Sequence, residues 1–190
     1  SPHIALREAG LPFEAIKVDY ASKQLPGGGD FRRLQPLGYV PLLELDNGEL
    51  LAEWPAIVQY IADLKPEAGL APPAGTLARY RLQEWLGFIN SELHKAYSSL
   101  FDASYPSELK AAIRDKLATR LDRVAEKLHG RPWLLGEQFS VADGYLFTVL
   151  EWSRFVDIDL ARWPVLQAFV ERTRQRPAVR AALRAEGLLK

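Results

Sequence analysis

Two short apolar runs, Val40-Pro41-Leu42-Leu43-Glu44-Leu45 and Glu49-Leu50-Leu51-Ala52, flank Asp46-Asn47-Gly48. Asn-Gly between such runs is a strong hairpin signal, because both positions tolerate positive φ. The pattern predicts two antiparallel strands turning at Asn47-Gly48. Ala56, Ile57, Tyr60, Ile61 and Leu64 then recur at helical spacing. Glu53 stands beside the first turn and Pro55 within it, where a missing amide proton has no intrahelical partner to lose. Strand, hairpin, strand and helix is the order expected from Gly38 to Leu64. Pro41 sits at the strand entry, where it interrupts no ladder, and it pushes Val40 towards extended geometry. An X-Pro bond in a folded protein is cis only about one time in twenty, so on its own the sequence favours trans.

Elsewhere the chain alternates between breakers and periodic stretches. Ser1 as N-cap, Pro2 at the first helical position and Gly10 at the end mark a short helix. Imperfect alternation predicts a strand from Phe13 to Val18. Pro26 to Gly29 reads as a loop, and Asp30 to Leu34 as a helical turn. From Lys65 to Gly75 the breakers Pro66, Gly69, Pro72, Pro73 and Gly75 read as a linker. Beyond it Leu, Ile, Val and Trp recur at three-to-four spacing, predicting bundle helices at Leu77 to Phe101, Ser107 to His129, Val141 to Phe155, Pro164 to Gln175 and Pro177 to Glu186. Ser140-Val141-Ala142-Asp143 fits a capping box and reads as structural, although Gly144 offers Phe139 no side chain for a hydrophobic staple. The expected division is an α/β domain at 1–64, a linker at 65–75 and an all-helical domain at 76–190.

Composition narrows the function. With 190 residues and 48% hydrophobic content, the chain can bury a substantial core. Lys and Arg balance Asp and Glu at 24 each, leaving no excess field to neutralise a phosphate backbone, so nucleic acid is not an expected partner. No apolar run is long enough for a membrane helix and no basic-then-apolar leader opens the sequence, so a soluble, cytoplasmic protein is expected. Cysteine is absent, excluding disulfides, thiolate metal sites and a cysteine nucleophile within these residues. His3, His94 and His129 each lack a second His one helical turn away, so no metal is expected.

Three patterns carry a family resemblance. Gly38-x-Val40-Pro41-x-Leu43, then Asp46-x-Gly48, then Leu51-x-Glu53-x-x-Ala56-Ile57 resembles the second half of the thioredoxin-like domain of glutathione transferases. Phe139-Ser140-x-Ala142-Asp143 resembles the buried helix start of their second domain. With Ser1 to Glu8, Ser91-Glu92-Leu93-His94-Lys95, Ala142 to Thr148 and Arg176 to Val179, nearly the whole chain is similar to a bacterial beta-class glutathione transferase. The resemblance implies a thioredoxin-like α/β N-terminal domain joined to an all-α C-terminal helical bundle, the glutathione transferase fold. It implies a cis Val40-Pro41 bond, a homodimer with the active site in the cleft between one subunit's domains, and glutathione as co-substrate in cytoplasmic detoxification, without a metal. It also implies a first strand and a catalytic Cys, Ser or Tyr in a short segment ahead of Ser1, which leaves the catalytic residue unnamed.

Glutathione is an extended anionic tripeptide, so its receptor needs a main-chain edge, a helix N-terminus and a cation. By resemblance Val40 supplies the edge, the start of the Glu53 to Leu64 helix the anion site, Glu53 a partner for the ammonium, and Lys23 a contact to the glycyl end. Read alone, Lys23 is a solvated loop charge and Glu53 a helix-terminus acid. Ser91 and Glu92 match positions that approach the γ-glutamyl end from the neighbouring subunit, or else form a solvated helix face. His94 and Lys95 match a pair near the electrophile pocket, with Tyr97 beside them, although Tyr97 and Phe101 also read as packing.

Three positions depart from the family. Trp54 replaces the Ser or Gly that receives the γ-glutamyl carboxylate, Tyr39 replaces Gln and Gly87 replaces Asn. Turned inward, the Trp54 indole blocks that subsite; turned outward, it frees the amide. The leading expectation is transfer of glutathione thiolate to small electrophiles. The alternatives are a dimeric interaction protein that has lost the chemistry, and glutathione-dependent thiol-disulfide exchange or isomerisation.

Overall fold

The computed structural model describes residues 1–189. Helix α1 (Pro2–Ala9) ends at Gly10, whose φ of 66° lets the next amides fold back onto Arg7 and Leu6. Ser1 stands at the N-cap position, but its side chain makes no capping bond. The expected strand at Phe13 to Val18 does not form. Residues 11–19 have no regular structure and Ile16 is 56% exposed. A strand requires a neighbour to receive its amides, and among the described residues none runs beside this stretch. The turn expected at Asp30 to Leu34 forms as a short 3₁₀ helix, Phe31–Arg33, which Asp30 caps through the Arg32 amide at 2.9 Å.

The hairpin forms in the predicted place. Strands β1 (Leu42–Glu44) and β2 (Leu50–Ala52) are antiparallel, with Leu42 opposite Ala52 and Glu44 opposite Leu50. Its turn sits one residue earlier than expected. The Gly48 amide donates to the Leu45 carbonyl at 2.8 Å and the Leu45 amide to the Glu49 carbonyl at 2.9 Å, so Asp46 and Asn47 are central. Only Gly48, at φ 82°, is left-handed. This is a three-residue loop, which needs glycine once rather than positive φ twice.

Helix α2 (Trp54–Leu64) carries Pro55 in its first turn and buries Ile57, Val58, Ile61 and Ala62, with α1 packed against it. The predicted first bundle helix is three pieces: α3 (Leu77–Phe88), a π-helical segment (Ile89–His94) and α4 (Lys95–Leu100). Then come α5 (Ser107–Leu128), α6 (Val141–Leu150) with a 3₁₀ tail at Glu151–Phe155, α7 (Pro164–Arg174) and α8 (Pro177–Ala185). The architecture is a small antiparallel sheet with helices, of thioredoxin-like kind, beside a helical bundle. Among the described residues no helix is long and apolar enough to cross a membrane.

Helix α6 is buried along almost its whole length, so its polar groups require internal partners. Its capping box is formed: the Asp143 carboxylate accepts from the Ser140 amide at 2.9 Å, the Ser140 hydroxyl at 2.7 Å and the Leu134 amide at 2.8 Å. Gly144 offers Phe139 no staple side chain, and a Cβ there would sit in ordinary contact, 3.5 Å from Ile4 and 3.6 Å from the Phe139 ring. Phe139 and α1 therefore both rest on bare α6 backbone. Two arginines tie the sheet side to the bundle. Arg79 on α3, 5% exposed, donates to Asp63 and Gln59 of α2 and to the Pro72 carbonyl. Arg176 forks onto Glu8 of α1 at 2.6 and 2.7 Å.

Candidate functional site

One wall of the site is the chain entering β1. The Val40-Pro41 bond is cis, and Val40 lies just outside the ladder with no bond to its amide among the described residues. Two residues earlier, Gly38 is buried at φ 64°, and a Cβ there would lie 3.1 Å from the Lys23 side chain. The aliphatic stem of Lys23 thus lies along the backbone that leads to Val40. Its ammonium stands 3.5 Å from the centre of the Tyr20 ring, a cation–π contact. Lys23 itself has φ 62°. Loop and edge are therefore one local unit.

At the start of α2, Glu53 occupies the N-cap at φ 70° without capping the helix. A non-glycine residue held there costs on the order of 1 to 3 kcal/mol. Its carboxylate is exposed, and its charge adds to burial in pushing the Tyr145 phenol above its ordinary range. At the head of α2 only the Trp54 amide is without an acceptor among the described residues, since Pro55 has no N–H and the Ala56 and Ile57 amides donate to the Glu53 carbonyl at 3.1 and 2.9 Å; the positive end of the helix dipole lies there.

The Trp54 indole is turned inward. Its N–H donates to the Val40 carbonyl at 3.3 Å. The ring stacks on Tyr145 with centroids 5.0 Å apart and planes 21° off parallel, and meets His94 edge-on at 5.2 Å and Trp152 edge-on at 6.5 Å. A single indole bridges the edge on one side and the bundle on the other.

The opposite wall is the π segment and α6. His94 Nδ1 lies 2.7 Å from the Tyr145 hydroxyl, which donates to Asn90 Oδ1 at 2.9 Å. Burial, assisted by the charge of Lys95, lowers the His94 pKa to about 4, so the imidazole is neutral at physiological pH. Lys95 is exposed, as is Ser91. Glu92 is paired within its own chain, to Arg120 on α5 at 2.6 Å.

Tyr97 is corrected from pocket wall to core. It has no exposed surface, its hydroxyl is hydrogen-bonded to Ser153 at 2.6 Å, and burial pushes its pKa up to about 12. Only its ring edge approaches the site, through Trp152 at 6.3 Å. The groups that sequence reasoning missed are Tyr145, Trp152 and Asn90. Asn90 and His94 stand four apart on one helix, a spacing that signals a shared face; the side of the bundle that Tyr145 presents carries no local signal. Among the described residues no group of three or more His, Asp or Glu could hold a metal.

Comparison with known proteins fits this geometry. The glutathione S-transferase N-terminal domain model matches residues 2–64 and the C-terminal domain model residues 88–177. Glutathione S-transferase GstA of Escherichia coli O157:H7 is 43% identical over 186 residues, 98% of this chain and 92% of the relative. The bacterial GST BphK, solved as a ternary complex, superposes with a TM-score of 0.97 at 57% identity, covering 98% of this chain and 94% of that one. A beta-class enzyme, the Sphingomonas chungbukensis glutathione S-transferase, gives a TM-score of 0.95 at 48% identity, covering 99% and 94%. With both halves of its fold matched in sequence and in structure, the chain belongs to the glutathione S-transferase family.

Proposed function

We propose that this protein transfers glutathione thiolate to small apolar electrophiles, in a cleft bounded by Val40, the start of α2 and His94. The observation that carries the reading is the position of Trp54, whose indole touches the Val40 carbonyl at one edge and the His94 ring at another. An extended peptide pairing with Val40 in place of the indole would carry its sulfur next to a neutral imidazole. In this arrangement the Trp54 amide and the α2 dipole take the γ-glutamyl carboxylate, Glu53 the ammonium and Lys23 the glycyl carboxylate. Holding the thiolate against a bound electrophile removes the entropy of a bimolecular encounter. The reading extends to a cytoplasmic homodimer serving detoxification, in which Ser91 and Glu92 face the neighbouring subunit's ligand.

A second reading is favoured by the same indole. Hydrogen-bonded to Val40 and stacked on Tyr145, Trp54 fills the subsite of a γ-glutamyl group, as a dimeric interaction protein without the chemistry would permit. Calorimetric titration with glutathione, run beside conjugation of a halonitrobenzene, separates the two. Saturable heat together with thioether formation supports transfer. No heat at millimolar glutathione, in the natural protein and in Trp54→Ser alike, overturns it.

A further inference from the structure

Lys23 is the cation that the transferase reading gives to the glycyl carboxylate, and the loop around it shows what aims it. Its backbone is fixed on both sides: the amide donates to the Asp19 carbonyl at 2.8 Å, and the carbonyl accepts from the amide of buried Phe31 at 2.8 Å. The Asp19 carboxylate closes the same turn by accepting from the Ser22 amide and hydroxyl, each at 2.7 Å. Lys23 is held there at φ 62°, an unfavourable region for a residue with a Cβ and one that collects at ligand clamps. Its stem lies over Gly38, where a Cβ would come within 3.1, 3.2 and 3.4 Å of Cδ, Cε and Cγ, so a side chain at residue 38 would crowd the slot. The ammonium ends 3.5 Å from the centre of the Tyr20 ring. Among the described residues no carboxylate pairs with it. A lysine head otherwise turns freely on its flexible stem; here an aromatic face takes one side of it and leaves N–H bonds for a second partner.

That position suits one end of an extended peptide. Paired antiparallel with the Val40 edge, its γ-glutamyl end towards α2, glutathione would set its cysteinyl residue beside Val40, its glycyl residue beside Tyr39 and its terminal carboxylate beside Gly38, where the Lys23 stem runs. We propose that Tyr20 is a positioning residue: its ring holds the Lys23 ammonium ready for that carboxylate, and the site thereby selects ligands that end in a free carboxylate. The inference rests on the transferase reading for the identity of the ligand. Tyr20 is 65% exposed, so it adds little to the core, and its ring is available for this role.

Proton NMR of the free protein reads the contact before any ligand is added. Methylene protons held over an aromatic face are shifted upfield by its ring current. The Lys23 Hε signal, identified by its loss in Lys23→Met, should therefore lie upfield of the other lysines and rejoin them in Tyr20→Leu. Titration calorimetry then reads the function. Tyr20→Leu should weaken glutathione binding roughly two- to fivefold, the worth of an exposed cation–π contact, with the KM for the electrophile unchanged, and Tyr20→Phe, which keeps the π face, should restore it. The glycyl ethyl ester of glutathione, uncharged at that end, should bind Tyr20→Leu and the natural protein alike, and Tyr20→Leu should have no further effect on a Lys23→Met background. An unshifted Lys23 signal in the natural protein overturns the proposal. So does tighter glutathione binding in Tyr20→Leu, which makes the ring a competitor for the cation, or an equal loss for the ester, which makes Tyr20 a contact of the peptide itself. Should neither the natural protein nor Trp54→Ser bind glutathione while the shifted signal is present, the transferase reading falls and the hold of Tyr20 on Lys23 stands.

Discussion

Replacing Trp54 by Ala should weaken the free protein and tighten its hold on glutathione, because the same contacts act on both equilibria. In the free protein the indole contributes one N–H···O bond to Val40 and one near-parallel stack on Tyr145. A neutral hydrogen bond is worth about 1 kcal/mol net, and less at this length, while an aromatic pair adds about 0.5 to 1.5 kcal/mol beyond area burial. A peptide that pairs with Val40 must break both. Removing the indole should therefore lower the glutathione Kd by roughly 5- to 30-fold, the equivalent of about 1 to 2 kcal/mol. Stability of the unliganded chain should fall by at least that amount, since the indole's packing against the core is lost as well. Trp54→Phe keeps the stack and loses only the donor, so about half of each effect is expected. Isothermal titration gives the first quantity and urea denaturation the second. An Ala variant that loses stability yet binds glutathione no better than the natural protein would refute the reasoning, since the indole would then stand clear of the ligand.

The core around the site makes further commitments. Tyr97→Phe strands the buried Ser153 hydroxyl and should cost about 1 to 2 kcal/mol in denaturation while leaving conjugation constants unchanged; an altered electrophile KM would return Tyr97 to the pocket wall. Burial pushes the Asp143 pKa up to about 6 from its unfolded value of 3.8, so the folded state holds the extra proton between them. This group's stabilisation is full below about pH 4 and lost as pH rises through about 6, by on the order of 2 to 3 kcal/mol. Asp143→Asn, less stable overall, should lack that slope, and parallel curves of denaturation midpoint against pH would count against it. Arg79→Met should destabilise by about 2 to 3 kcal/mol, because a buried guanidinium takes its bonds to Asp63, Gln59 and Pro72 with it. Asp63→Asn should cost under about 1 kcal/mol, since Asp63 is half exposed and screened; equal losses from the two variants would contradict the assignment.

What could be read from the sequence was whatever one segment decides for itself. The hairpin strands, Pro55 in the first turn of α2, the helical turn after Asp30 and the capping box at Ser140 all depend on residues within a few positions of one another, and each stands where its local signal put it. The failures share the opposite property. Phe13 to Val18 has a strand's alternation, but a strand exists only by pairing, and pairing is settled elsewhere in the chain. The loop at Gly48 formed one register away because the ladder, ending at Glu44 and Leu50, set how many residues it must span. Tyr97 could be read by position as pocket or as packing, and it is core because Ser153, in the 3₁₀ tail that follows α6, takes its hydroxyl.

Trp54 puts both kinds of information in one residue. Its place at the head of α2 follows from Glu53-Trp54-Pro55, whereas its direction follows from Tyr145 and Trp152, which belong to the other half of the fold. The same division holds for the chemistry. The edge at Val40 and the dipole of α2 come from the sheet side, while the hydrogen bonds that hold the His94 ring come from the bundle, from Tyr145 and through it Asn90. Between the Val40 edge and the His94 ring, the Trp54 indole is the link among the described residues. The sheet side can thus hold a ligand and the bundle can fix the His94 ring independently, and the cleft works only where both meet the same ligand. Substitutions at Val40's neighbours should therefore move affinity, and substitutions at His94 should move turnover, with little crossing between them.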